Sequence, residues 1–337
     1  MIAPATRANN LATVTTEWKR LVAFAAAKPG DSFALATLIG REGSSYRQPG
    51  ARLLIAPDGT HAGCLSGGCL EEGVAQVGLR VLRTGAGERL RLDTRPHFGC
   101  PGILDIWVEP LAAGFLRELA LALAARTNPW VATRPASAAG TTLLHTAPQT
   151  EAEAPDALIR EVGLLPRLLV ASATSDADDL CALADWMGWD VRRIVHSAES
   201  QSDLPPAAAA RAEVVLPEQL ARLAPPDTRT ACVIMTHHLG RDLAYLRHAL
   251  VAAYPYVGLL GSRRRRETLL GELGELGVLA DPTVAHRLHA PVGLDLGADE
   301  PRAIALAIVA EIQAAWTGAG GGPLQHRAGP VHTRSHP

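Results

Sequence analysis

The chain has 337 residues, with 32 Lys and Arg against 34 Asp and Glu and a formal net charge of -2, which is long enough for two domains with separate cores. That balance excludes a one-signed field steering the molecule onto nucleic acid or anionic lipid, and five cysteines, odd in number and unevenly spaced, exclude a secreted disulfide framework. No apolar run reaches the roughly 20 residues needed to cross a bilayer, and Glu17, Lys19 and Arg20 interrupt any signal-like start, so reduced thiols in the cytoplasm are the expectation.

Helical spacing of apolar residues predicts a helix over Trp18–Ala27, stopped by Lys28, Pro29 and Gly30. A strand over Phe33–Ile39 follows, then a hairpin whose first strand is Arg52–Ile55 and whose turn is Pro57–Thr60. A helix over Glu71–Arg83 and a turn and strand within Gly99–Val108 complete a small α+β domain, residues 11–127. Residues 128–165 lose periodicity and read as a connecting region, with short strands near Val131–Thr133 and Thr141–His145.

Residues 166–317 then alternate short apolar strands (Leu168–Ala171, Asp190–Val195, Ala212–Leu216, Ala231–Thr236, Tyr256–Leu260) with helices (Ala177–Met187, Asp242–Ala252, Arg264–Leu276, Pro301–Trp316). This alternation predicts an α/β, doubly wound parallel sheet of Rossmann-like type. Residues 318–337, rich in Gly, Pro, Arg and His, read as a disordered tail.

Four places carry residues suited to chemistry. In Arg41–Arg52, Arg47 and Arg52 supply planar forks for phosphate or carboxylate among serine and glycine donors. In Gly63–Glu71, Ser66, Gly67 and Gly68 allow close approach of backbone to a ligand, and Cys69 stands before a helix whose dipole favours a thiolate able to bind a soft metal or exchange sulfur. Cys64 has the smaller claim, as a buried thiol. Cys100 follows His97 and enters a strand as a second thiol; the spacing of His97, Cys100, Cys64 and Cys69 is not that of paired zinc knuckles. At strand ends of the second domain, His237 can place an anion or exchange a proton with Asp242 orienting it, and Gly261, Ser262 and Arg263 form a phosphate seat at a helix start, with Arg264–Arg266 its solvated face.

These stretches, Gly43–Arg52, Gly63–Glu71, Met235–His237 with Asp242, Gly258–Arg263 and His289–Gly297, resemble the XdhC/CoxI family of accessory proteins of xanthine dehydrogenase-like molybdenum hydroxylases. The resemblance implies an N-terminal domain and a Rossmann-like domain, often paired in dimers. It implies binding of molybdenum cofactor (molybdopterin), support of its sulfuration with a cysteine desulfurase, and delivery to an apo-hydroxylase. It puts the pterin phosphate or nucleotide near Arg47, Arg52, Ser262 and Arg263, with Cys69 facing the metal. Relatives usually carry a glycine-rich turn after the first strand of the second domain and an acid after the next; here stand Ala171–Asp176 and His196. Without those glycines and that acid, a dinucleotide loses its pyrophosphate seat and its ribose acceptor. The alternatives are a nucleotide-dependent oxidoreductase or transferase using His237 as acid or base, and a docking protein that depends little on Cys69.

Overall fold

The computed structural model describes residues 11–28, 30, 32–43, 47–68, 70–94, 102–147, 156–197, 204, 209 and 212–328. The chain divides into two compact units with the boundary after Leu164.

In the first unit, α1 (Leu11–Ala26) precedes β1 (Ala34–Gly43), β2 (Arg52–Ile55), β3 (His61–Gly63), α2 (Glu71–Thr84), β4 (Glu88–Asp93) and β5 (Gly102–Pro110). The strands form one antiparallel sheet in the order β3-β2-β1-β5-β4. Alternation along each strand sends Ala34, Ala36, Leu38, Leu53 and Ile55 to one face, under Val74 and Val81 of α2. Leu35 and Leu54 go to the other, with Trp18 and Leu21 of α1. The charged pattern Glu88-Arg-Leu-Arg-Leu-Asp93 makes β4 an edge strand, its Arg89 paired with Asp105 and its Arg91 with Glu42.

Residues 128–165 hold more than a connection. After α3 (Phe115–Ala124), β6 (Trp130–Thr133), β7 (Thr141–Leu144) and β8 (Leu158–Glu161) form an antiparallel sheet in the order β7-β6-β8. Val131 and Val162 complete the core that contains Trp18, Phe115 and Leu119. Each strand is only four residues long, too short to show a period, and its inward positions include threonines: Thr133 and Thr141 share a hydroxyl bond of 3.0 Å, and Thr141 Oγ1 donates to the buried Glu109 carboxylate at 2.5 Å. Burial pushes the Glu109 carboxyl up.

The second unit contains β9 (Arg167–Ala171), α4 (Asp176–Trp186), β10 (Asp190–Val195), β11 (Ala212–Val214), β12 (Thr230–Ile234), α5 (Leu239–Val251), β13 (Tyr256–Leu259), α6 (Arg263–Glu275), β14 (Leu288–His289) and α7 (Pro301–Thr317), with short helices at Leu220–Leu223 and Pro282–Ala285. All pairings are parallel, in the order β11-β10-β9-β12-β13-β14. Leu169, Cys232 and Ile234 face Leu246 and Leu269 of α5 and α6, while Leu168, Val170 and Val233 face Leu180 and Ile308 of α4 and α7, so the sheet is covered on both sides. The order reverses between β9 and β12, and the carboxyl ends of those two strands bound the crevice where such sheets bind ligands. Of the tail, residues 318–328 are described and include a 3-10 turn at Leu324–His326; the remainder lies outside the described residues. Among the described residues no helix is long and apolar enough to cross a membrane.

Candidate functional site

The loop joining β3 to α2 is built around a carboxylate. Cys64 anchors it, its amide donating to Arg52 O at 2.9 Å. From there the chain curls around Glu71, whose Oε1 accepts from the amides of Leu65 (2.9 Å) and Ser66 (2.8 Å) and whose Oε2 accepts from Ser66 Oγ (2.8 Å) and the amides of Gly68 (3.0 Å) and Leu70 (3.1 Å). The Gly67 amide donates instead to Cys64 Sγ at 3.2 Å. Burial by itself raises the Glu71 carboxyl, but the bonds from Ser66 and Leu65 outweigh it and hold the group at about 2. Ser66, Gly67 and Gly68, read in the sequence as ligand contacts, thus turn their amides inward, and the two glycines leave an exposed surface. Burial pushes the Cys64 thiol up, with Glu71 adding to the effect and Arg47 opposing it. Cys69 and Cys100 lie outside the described residues, as do Ser44–Tyr46.

The two arginines of the expected anion cradle have different environments. Arg47 Nη2 donates to Glu17 Oε2 at 2.6 Å, and its side chain is partly open to solvent. Arg52 is 1% exposed. Alternation along β2 sends it to the α1 face, where its guanidinium lies 4.4 Å from the centre of the Trp18 ring and donates through Nη1 to Gly50 O at 2.6 Å. Its Nε and Nη2 are buried with no hydrogen-bond partner among the described residues. Burial lowers this guanidinium to about 10. Arg52 is therefore part of the core of the first unit, and the open member of the pair is Arg47. Glu17 receives the Arg52 amide at 3.3 Å, and burial raises its carboxyl against the pull of both arginines.

At the sheet edge of the second unit, His237 Nε2 meets Asp176 Oδ2 at 2.7 Å, with the imidazole half exposed and the backbone at φ +58°. Asp242, expected to orient it, is fully buried and serves other groups. Its Oδ1 accepts from Thr236 N (3.2 Å) and Oγ1 (2.6 Å), and its Oδ2 from Arg265 Nε (2.8 Å) and Nη2. Arg265 is thus turned inward and is not on the solvated face of α6, whereas Arg263 is exposed. Ser262 caps α6, its Oγ accepting from the Arg265 amide at 3.3 Å. Gly261 gives Arg265 room, since a Cβ there would stand 2.7 Å from Arg265 Cδ.

Where a glycine-rich turn would follow β9, Ser172 and Thr174 share a hydroxyl bond of 2.9 Å. The buried Arg193 of β10 donates to Ser172 O (3.0 Å), to Thr174 O and to Asp178. The first turn of α4 carries Asp176, Asp178 and Asp179. Among the described residues no group of three His, Cys, Asp or Glu side chains is arranged to hold a metal ion.

Sequence reasoning assigned no site role to Glu71, Glu17, Asp176 or Arg193, and placed Arg265 on the solvated face of its helix. For Glu71 a signal existed, an acid at the first turn of a helix three residues after Ser66-Gly67-Gly68. The others depend on long-range neighbours that spacing does not reveal.

Two family models match this chain: one described as the XdhC and CoxI family over residues 26–93, and one described as the XdhC Rossmann domain over residues 168–312. The chain is 27% identical over 310 residues to the molybdenum cofactor insertion chaperone PaoD of Escherichia coli (strain K12), covering 89% of each chain. It is 27% identical over 319 residues to a protein of Bacillus subtilis (strain 168) described as a probable xanthine dehydrogenase subunit, covering 82% of this chain and 91% of that one. Its fold matches the crystal structure of a protein described as a xanthine dehydrogenase from Bacillus halodurans with a TM-score of 0.71 at 24% identity, over 89% of this chain and 95% of the other.

Proposed function

The chain belongs to the XdhC and CoxI family, and on that premise we propose that it binds molybdenum cofactor as cargo, supports its sulfuration together with a cysteine desulfurase, and delivers it to an apo-hydroxylase of the xanthine dehydrogenase type. The observation that carries this reading is the likeness to a cofactor insertion chaperone over nearly the whole of both chains, through both units. The first unit adds chemistry suited to the cargo: a loop bearing Cys64 and Cys69, with Arg47 near enough to Cys64 to influence its thiol. A thiol is the ligand type that a soft, sulfur-bound metal favours, and a guanidinium with one edge open to solvent is suited to a phosphate. Gly261, Ser262 and Arg263 are proposed contacts on the second unit, where Ser262 caps a helix beside an exposed arginine. A cytoplasmic homodimer is part of the proposal.

The second reading, proton transfer at His237, is favoured by its bond to Asp176 and its left-handed backbone. A dinucleotide version of it is opposed by the carboxylates that begin α4, which repel phosphate where a helix start would otherwise attract it. Anaerobic calorimetric titration of molybdenum cofactor into the protein, with NAD as the comparison ligand, separates the two. Stoichiometric cofactor binding that weakens in Cys69→Ala and Arg263→Ala is the expected result. NAD binding without cofactor binding would overturn it.

A further inference from the structure

We propose that Glu71 is the positioning residue of the β3–α2 loop, its carboxylate serving as the internal template on which Leu65, Ser66, Gly68 and Leu70 converge and the Cys64 thiol is presented. Helix caps ordinarily satisfy the amides that begin the helix itself. Glu71 does something else: it is the first residue of α2, yet the five groups donating to it, from Leu65, Ser66, Gly68 and Leu70, all precede the helix. Both oxygens are shared, one by two donors and the other by three. Gly67 and Gly68, at φ +89° and +110°, supply the left-handed turns that let the chain wrap inward around the carboxylate. The Gly67 amide, in the peptide that joins Ser66 to Gly67, closes the arrangement on Cys64 Sγ.

Only an ionised carboxylate meets this set of donors, because it is acceptor-only on both oxygens. Glutamine has the same size and one oxygen fewer, and its amide nitrogen would confront the N–H groups formerly bonded to the lost oxygen. The isosteric exchange therefore separates the charge pattern of Glu71 from its bulk. Only the link from loop to cargo rests on the carrier reading.

The test uses Glu71→Gln in the full chain, with three readouts: hydrogen exchange at the amides of residues 65–70, iodoacetamide alkylation of Cys64 at fixed pH followed by peptide mass spectrometry, and anaerobic titration of molybdenum cofactor with the absorption spectrum of the bound form. We expect exchange in 65–70 to accelerate at least tenfold while exchange in β1 and β5 stays as in the parent. Cys64 alkylation should change several-fold, and cofactor binding should weaken about tenfold with an altered spectrum. Ser66→Ala, which removes one of the five donors, should give a smaller change of the same sign and serves if the glutamine variant does not fold. Unchanged exchange and alkylation in both variants would overturn the proposal, and a loosened loop that binds cofactor with the parent's affinity and spectrum would overturn the link from loop to cargo. If the parent itself fails to bind cofactor while the loop responds as expected, the carrier reading falls and the positioning of Cys64 by Glu71 stands.

Discussion

Replacing Arg52 by methionine tests whether a buried guanidinium with two of its nitrogens unbonded among the described residues stabilises the first unit. Holding at about 10 a group whose ordinary value is 12.5 corresponds to about 3 kcal/mol against the charged form. Two contacts oppose that cost: the stacking on Trp18, about 1–2 kcal/mol for a desolvated cation over an indole, and the charged bond to Gly50 O, about 1.5–3 kcal/mol. The sum lies close to balance. Methionine has similar reach, places a sulfur against the same ring for about 0.3–1.5 kcal/mol, and leaves one carbonyl without its donor at about 1 kcal/mol. Arg52→Met should therefore change stability by no more than about 1 kcal/mol, whereas Arg52→Ala, which also opens a cavity, should lose about 3 kcal/mol. Urea unfolding followed by tryptophan fluorescence is the assay, since Trp18, Trp107 and Trp130 all lie in the first unit. A loss of about 3 kcal/mol or more in the methionine variant would refute the reasoning, because that is the penalty for removing one partner of a true buried ion pair.

Two further outcomes follow from close packing. Gly63→Ala would set a Cβ 2.2 Å from the Arg52 carbonyl oxygen at φ +110°, whereas Gly68→Ala shares that φ but meets nothing within 4 Å; thermal unfolding should show a loss of about 3 kcal/mol or more for the first and about 1 kcal/mol for the second. Asp242→Asn should cost about 3–5 kcal/mol by leaving Arg265 facing an amide, and adding Arg265→Met should recover part of it. Strict additivity of the two substitutions in urea unfolding would show that the pair is not coupled.

The doubly wound sheet was legible because each of its central strands is an apolar run ending at a polar turn, as in Arg167–Ala171 and Thr230–Ile234, and because the helices between them carry one apolar stripe. The hairpin at Arg52–Ile55 was legible from Pro57-Asp-Gly-Thr60. What spacing could not show was the destination of long polar side chains. Arg52 reads as outward by its charge, yet its strand is covered on both faces, so alternation could only send it inward to one core or the other. Arg265 reads as one of four similar arginines, and only the helix register against Asp242 distinguishes it. In the small sheet of residues 130–161 the strands near Val131–Thr133 and Thr141–His145 were legible, but β8 and the joining of the three were not, because they are held by pairing with one another and by Glu109, 32 residues before Thr141, more than by any pattern within them.

At Ala171–Asp176 composition decides one matter and geometry another. Missing glycines establish that a pyrophosphate cannot approach helix amides closely there. They do not establish what the turn does instead. In the structure the turn's carbonyls, at Ser172 and Thr174, face the guanidinium of Arg193, and the helix start beyond them carries Asp176, Asp178 and Asp179. A glycine-rich turn offers N–H groups to an anion; this one directs C=O groups at a cation that the protein already supplies. The reversal also accounts for His237, whose partner Asp176 stands on that same first turn of α4. The start of α6 is the proposed phosphate seat of the second unit: no carboxylate lies in its first turn, and Ser262 caps a helix that opens with four arginines. A charge reversal there, Arg263→Glu, should weaken binding of a phosphate-bearing cargo more than any substitution at Ser172 or Thr174, because a group already turned away from an anion has little attraction to lose.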